Sequence, residues 1–310
     1  MKDNILVIGD TIIDHSIFCN PIGISLETPT MKTEFVEEEY TFGGAANVVS
    51  NLLSLSAKVT FITANGQDAH KDVLNSWKSE NLDLYLIEHS GKNTVKSRYW
   101  ISKGDNKYKF LQVNRGQQVS LTNEHIQQIK DKINNESFET ALLVDYRKGF
   151  FNNAKQTQEL ISLLKERDIK VIASSQISDG KNQYFHFAGS NLICMNETEA
   201  TNNLKSLYCP SNSFKPVLNQ LKELSENLRA GICVTLGSRG SVLYDGNRVI
   251  HHGGYPIEAK DSCGAGDSFL AAFAVKYPDF DLEFCNKWAA ASTLNMGTKP
   301  PTYEDFYALN

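Results

Sequence analysis

Short, almost wholly apolar runs recur along the chain, separated by longer segments in which apolar residues fall at helical spacing. Residues 5–8, 59–62, 84–87, 141–144, 171–173, 192–195 and 232–236 form the first set, too short for helices and too continuous for half-exposed strands. They predict strands buried on both faces. Between them, residues 44–56 place Val48, Leu52 and Leu55 on one helical face. Residues 67–80, 122–135, 152–167 and 216–228 also read as amphipathic or capped helices. Strands alternating with helices predict the α/β class, a mostly parallel sheet covered on both faces within one domain spanning residues 1–310.

Two stretches break the alternation. The first runs from Asp14 through Pro21, Gly23 and Pro29 into the acidic Glu37-Glu-Glu39. The second alternates and is rich in aromatic residues (Tyr99, Trp100, Tyr108, Phe110), with a turn at Lys103-Gly-Asp-Asn-Lys107 that reads as a hairpin tip. Together they predict a small β lid built from segments at about 12–40 and 94–115, standing off the main domain as binding flaps often do. Surface decoration is the alternative.

Composition narrows the partners. Thirty-one basic against 36 acidic residues give a formal net charge of −5, which argues against a nucleic-acid partner. The six cysteines form no C-x-x-C pair, so they predict small reduced side chains and not a metal knuckle or a redox dithiol. The apolar run after Met1-Lys-Asp-Asn is too short for a signal peptide, and no stretch is long enough to span a bilayer. A cytoplasmic protein with no membrane partner is expected.

Five segments carry candidate chemistry. Asp261-Ser-Cys-Gly264-Ala265-Gly266-Asp267 runs straight into an apolar helix. Small residues at a helix start leave backbone N–H groups and the positive dipole end open to an anion. Asp267 would then lie beside it, able to take a proton from an attacking hydroxyl. A plain helix N-terminus with a dipole-favouring Asp gives the same pattern. Phe42-Gly43-Gly44-Ala-Ala-Asn47 offers glycines for close approach and an amide that can both donate and accept, as a polyol requires, or else a tight turn with a capping Asn. Gly9-Asp10 with Asp14 follows the first strand, where open α/β sheets bind ligands, although Asp10 suits an ordinary turn. Asn196-Glu-Thr-Glu199 would steer water or Mg²⁺ near phosphates, or form a capping box. Thr235-Leu-Gly237-Ser-Arg-Gly240 reads as a nucleotide-cradling loop or a hairpin.

Taken together in chain order, from Gly9-Asp10 through Gly43-Gly-x-x-Asn47, Asn196-x-x-Glu199 and Thr235-x-Gly-x-x-Gly240 to Asp261-x-x-Gly-Ala-Gly-Asp267, the five motifs resemble those of the ribokinase-like (PfkB) carbohydrate kinases, over roughly residues 4 to 304. Within that family the chain is most similar to the kinases of D-glycero-D-manno-heptose 7-phosphate, a sugar of lipopolysaccharide synthesis. Ile24-Ser-Leu-Glu-Thr-Pro-Thr30, Thr94-Val-Lys96-Ser-Arg98-Tyr and Asp145-Tyr-Arg-Lys148-Gly149 carry that narrower likeness. The resemblance implies a ribokinase-like three-layer fold and transfer of the ATP γ-phosphoryl group to a sugar hydroxyl, the anomeric 1-hydroxyl for a heptose 7-phosphate. It implies Asp267 as the base, with backbone N–H groups of Gly264, Ala265 and Gly266 stabilising the transferring group. Asp14, Gly43, Gly44, Asn47 and Asp145 would hold the sugar, and Lys96 and Arg98 a phosphate; an exposed basic strand face is the alternative for the last two. Asn196 and Glu199 would organise Mg²⁺ through water, Thr235, Gly237 and Gly240 would line the ATP site, and Asp261 would serve a K⁺ site of the kind some members use. A homodimer through the lid is a further expectation.

The chain also departs from the heptose pattern. Ser174-Ser-Gln176 stands where those kinases tend to have Asp-Pro-Lys, and Gln112-Val-Asn114 lacks their Arg-x-Asp. No His-x-Gly-His nucleotidyltransferase motif is present, so a kinase activity alone is expected. Kinases of fructose, ribose or adenosine are the same-class alternatives. A non-catalytic sugar or nucleotide sensor on a kinase scaffold is the different-class one.

Overall fold

The computed structural model describes residues 4–103, 106–178, 180–206, 215, 217–294 and 297–309. Seven parallel strands form the body of a nine-stranded sheet: β1 (Asn4–Gly9), β4 (Lys58–Gly66), β5 (Leu82–His89), β8 (Thr140–Asp145), β9 (Lys170–Ser175), β10 (Leu192–Asn196) and β11 (Gly231–Thr235). Each predicted apolar run is one of them. Antiparallel β12 (Ser241–Tyr244) and β13 (Val249–His252) complete an edge, giving the order β13-β12-β11-β10-β9-β8-β1-β4-β5. β1 therefore lies between β4 and β8, where the winding direction reverses. Ligands of open parallel sheets bind outside the strand ends at such a point.

The period-two alternation of β1 feeds two cores. Leu6 and Ile8 face one side with Ile129 of α3 (Asn123–Asn135), Leu160 and Leu164 of α4 (Ala154–Glu166) and Leu224 of α6 (Leu218–Leu228). Ile5 and Val7 face the other, with Val48 and Leu52 of α1 (Ala45–Ser54), Phe273 of α7 (Ala265–Val275) and Trp288 of α8 (Leu282–Ser292). Helices α5 (Glu197–Ser206) and α9 (Tyr303–Ala308) complete the layers.

The lid is a second sheet of order β3-β2-β6-β7, made of β2 (Thr11–Ile24), β3 (Met31–Gly44), β6 (Val95–Lys103) and β7 (Asn106–Arg115). Gly104 and Asp105 of the expected hairpin tip lie outside the described residues, as does Pro216 at the expected start of α6. β2 follows β1 after one residue and β3 runs directly into α1, so the lid is rooted at the switch point. The helix expected over 67–80 is only one short piece, α2 (Lys71–Asn75). Leu74 alone is buried there, and the flanking Trp77 stacks on Phe42 at 4.4 Å, so no apolar stripe continues the helix. Cys19, Cys194, Cys233 and Cys285 are buried thiols and Cys263 an exposed one; Cys209 lies outside the described residues. Among the described residues no helix is long and apolar enough to cross a membrane.

Candidate active site

Gly264 caps α7 in the left-handed region at φ 85°, and a Cβ there would stand 2.7 Å from Nδ2 of Asn47. The turn brings Asp267 into the first turn of the helix, facing α1 across the switch point. Its Oδ2 accepts the Asn47 amide at 2.7 Å and its Oδ1 accepts the Tyr146 hydroxyl at 2.5 Å. Burial pushes the Asp267 carboxyl up to about 6, against the pull of these two donors; Asp14 adds to the rise and Lys96 opposes it. Among the described residues the N–H groups of Gly264 and Gly266 make no hydrogen bond within the protein, whereas Ala265 donates to the Ser262 carbonyl at 3.3 Å. Two of the three expected anion donors are thus free, and Ala265 is held by a long bond.

On the lid side, Asp14 of β2 is buried and paired with Arg98 of β6 at 2.7 Å. Gly43 of β3 backs onto it: a Cβ there would lie 2.6 Å from Asp14 Oδ2. Gly44 joins β3 to α1. Lys96, the register partner of Asp14, is half-buried and makes no ion pair among the described residues. Of the two cations expected to meet a phosphate, Lys96 is therefore free and Arg98 is committed to Asp14. Asn47, expected on the sugar, has its amide on Asp267.

Asp145 ends β8 and accepts the Ser175 hydroxyl at 2.7 Å and the Arg147 N–H at 2.8 Å. Asp10 stands beside it and accepts three backbone N–H groups, from Tyr146 and Lys148 at 3.0 Å and Phe150 at 3.1 Å. Burial, then the Asp145 charge, pushes Asp10 up to about 7, and burial also raises Asp145. Asp10 is thus the staple of the turn after β8.

Beyond α7 opens a cavity of about 500 Å³ lined by Thr235, Gly237, Gly240, Tyr255, Gly266 and Asn286 among others. A smaller one of about 210 Å³ holds Asp145, Tyr146, Glu199, Gly264 and Asp267. Asn196, Thr235, Gly266 and Phe269 line both, so the two form one bipartite cleft meeting at the α7 N-terminus. Asn196 and Glu199 form the reciprocal capping pair, each N–H donating to the other's side chain at 2.8 and 2.9 Å. Glu199 also accepts the Tyr184 hydroxyl at 2.9 Å, and burial raises its pKa. Asp261 ties two loops, accepting the Cys263 N–H at 2.9 Å and the Gly297 N–H at 3.0 Å. Among the described residues no three His, Cys, Asp or Glu side chains gather as a metal cage.

A buried carboxylate at a helix N-terminus, beside a bipartite cleft at the switch point of a parallel sheet, has the geometry that phosphoryl transfer of the kinase type requires. The description "pfkB family carbohydrate kinase" belongs to the family model that matches residues 2–301. The chain belongs to this family and is an ATP-dependent carbohydrate kinase, as its sequence motifs led one to expect. It is 31% identical over 315 residues to the bifunctional protein HldE of Campylobacter jejuni subsp. doylei, covering 100% of this chain and 65% of that protein. To HldE of Nitratiruptor sp. it is 31% identical over 279 residues, covering 88% of this chain and 56% of that protein. The chain thus spans between about half and two thirds of these relatives. Phosphofructokinase-2 of Escherichia coli, in complex with potassium, shares the fold at a TM-score of 0.78 and 18% identity, over 100% of this chain and 98% of that one. Ribokinase of Thermotoga maritima does so at 0.71 and 20%, over 99% of each.

Tyr184 had no local signal in the sequence, and Tyr146 stood there only within the Asp145-Tyr-Arg-Lys148-Gly149 run, with no role of its own. Each reaches its carboxylate only through the fold.

Proposed function

We propose that this kinase transfers the γ-phosphoryl group of Mg-ATP to the anomeric 1-hydroxyl of D-glycero-D-manno-heptose 7-phosphate or a related sugar phosphate. The observation that carries the transfer chemistry is Asp267, buried at the α7 N-terminus where the two halves of the cleft meet. Mg-ATP supplies the phosphoryl group when bound in the larger half, beside Thr235, Gly237 and Gly240. The sugar lies on the lid side of Asp267, against Asp14, Gly43, Gly44 and Asn47, with Asp145 in the adjoining smaller cavity. Asp267 takes the proton of the attacking hydroxyl as the O–P bond forms. The free N–H groups of Gly264 and Gly266 and the α7 dipole hold the charge on the transferring oxygens. Asn196 and Glu199 orient water around Mg²⁺, and Asp261 is where K⁺ would act on the anion-binding loop.

The heptose assignment rests on the sequence likeness and on the HldE relatives. Lys96, unpaired and close enough to Asp267 to lower its pKa, is the cation for a phosphate on the substrate. One observation favours a second reading, a neutral sugar such as fructose or ribose: Arg98 is already neutralised by Asp14. Both departures from the heptose pattern lie at the site. Ser174 and Gln176 line the smaller cavity, and Asn114 and Gln112 pair with Lys96 and Arg98 across the lid. A homodimer through the lid fits its exposed apolar residues, Ile22, Ile24, Phe35, Tyr108 and Phe110 among them.

The test is ADP release from Mg-ATP, with and without K⁺, across heptose 7-phosphate, fructose, fructose 6-phosphate, ribose and adenosine. Activity confined to the heptose phosphate supports the proposal. Activity confined to a neutral sugar replaces it by the second reading.

A further inference from the structure

The turn after β8 is built to aim one side chain. Asp10 grips the backbone N–H groups of Tyr146, Lys148 and Phe150 at 3.0–3.1 Å, and Arg147 between them adopts a left-handed φ of 58°. The fixed backbone carries the Tyr146 ring into the cleft, where its hydroxyl donates to Asp267 Oδ1 at 2.5 Å. Asn47, from α1 on the opposite side, holds Oδ2 at 2.7 Å. The carboxylate is thereby clamped at both oxygens by groups from two separate elements. Each oxygen of an ionised carboxylate has a second lone pair, so the clamp leaves room to accept a substrate hydroxyl.

We infer that Tyr146 is a positioning residue of the phosphoryl-transfer site: its hydroxyl fixes the rotation of the Asp267 carboxylate and favours the ionised form that takes the substrate proton. The inference rests on the reading of Asp267 as the base. Burial and the neighbouring Asp267 charge raise the Tyr146 phenol well above its ordinary range, so it stays a donor throughout the working pH range. The groups around Asp267 are few and their signs are clear. Asp14 from β2 and Glu199 from α5 oppose its charge, as does the Cys263 thiol when ionised; Lys96 from β6 supports it. Among the described residues only Tyr146 and Asn47 donate to it directly. Deleting the hydroxyl therefore removes one of two direct donors without touching the charges.

Tyr146→Phe keeps the ring and its packing. The measurement is kcat/KM against pH from 5 to 9, with the acceptor giving the highest rate in the substrate panel, beside Asp267→Asn and the Tm of each protein. With one donor to a charged group gone, the acid limb is expected to rise by about one pH unit. The plateau rate is expected to fall about tenfold, with Tm held within a few degrees. Replacing Tyr146 by 3-fluorotyrosine, a stronger donor of nearly the same size, is expected to move the limb the other way, and keeps the test open if the Phe variant folds poorly. An unmoved acid limb in both variants overturns the inference, even if the rate falls, because packing or substrate contact alone would then account for the fall. An active Asp267→Asn instead overturns the reading of the base on which the inference rests.

Discussion

Gly264→Ala perturbs the site through a single methyl group. The residue sits at φ 85°, a conformation that costs an L side chain about 1–2 kcal/mol. The new Cβ would also fall 2.7 Å from Nδ2 of Asn47, closer than real Cβ contacts allow. Asn47 must move, and with it goes the 2.7 Å bond to Asp267. Against a total stability of order 5–15 kcal/mol, a loss of about 2 kcal/mol leaves more than roughly 99% of the protein folded. Any substantial loss of rate therefore reports on the site and not on unfolding. Misplacement of a reacting group by about 1 Å can cost on the order of 10²-fold in rate, and a fall of about that size in kcat is expected. Urea unfolding gives the stability change and ADP release the rate. A variant destabilised as expected but with wild-type kcat would refute the argument that Gly264 is there to let Asn47 reach the base.

Three further outcomes follow from the charges. Asp10 has a folded pKa of about 7 against an ordinary 3.8, so its contribution to stability is complete at low pH and is lost as pH rises toward and through 7. Tm should therefore fall between pH 5 and 8, and Asp10→Asn should flatten that slope; a slope unchanged by the substitution contradicts the assignment. Lys96→Met should raise KM for a phosphorylated sugar by about 10-fold or more, through loss of a charge-assisted bond, while leaving KM for a neutral sugar nearly unchanged. Arg98→Met should act on stability instead, costing about 1–3 kcal/mol in urea unfolding by leaving the Asp14 carboxylate buried without its partner; an Arg98 effect confined to KM for phosphorylated sugars would reassign it to the substrate.

What could be read from the sequence divides along physical lines. The seven parallel strands announce themselves because strands buried on both faces are continuous apolar runs, and β1 shows it with both of its faces packed. β12 holds a buried run, Val242-Leu243-Tyr244, as short as that of β9, and it went unread, whereas the edge strand β13 has no buried residue and no comparable run. The α2 region has apolar residues at helical spacing, yet Leu74 alone is buried in it, so tertiary packing ends the helix after five residues. In the site, Asp267 stood out because its motif comes last in a chain-ordered set of five; alone, a helix N-terminus with a dipole-favouring Asp gives the same pattern. Its hydrogen-bond partnerships did not stand out: Tyr146 lies 121 residues away and Asn47 220, and only the strand order brings them together. Arg98 looked free for the same reason. The parallel pairing of β2 with β6 sets Asp14 opposite Lys96, and the longer Arg98 side chain reaches back across the lid to take the carboxylate.

The central claim is that Asp267 is the base of a phosphoryl transfer, and Asp267→Asn tests it most directly, since the amide keeps the shape and can still meet Asn47 and Tyr146. The measurement is steady-state turnover with Mg-ATP and the best acceptor, alongside nucleotide binding by calorimetry and Tm. The account predicts unchanged folding and nucleotide affinity with turnover lowered roughly 10²–10⁴-fold. Turnover near the wild-type rate would contradict it.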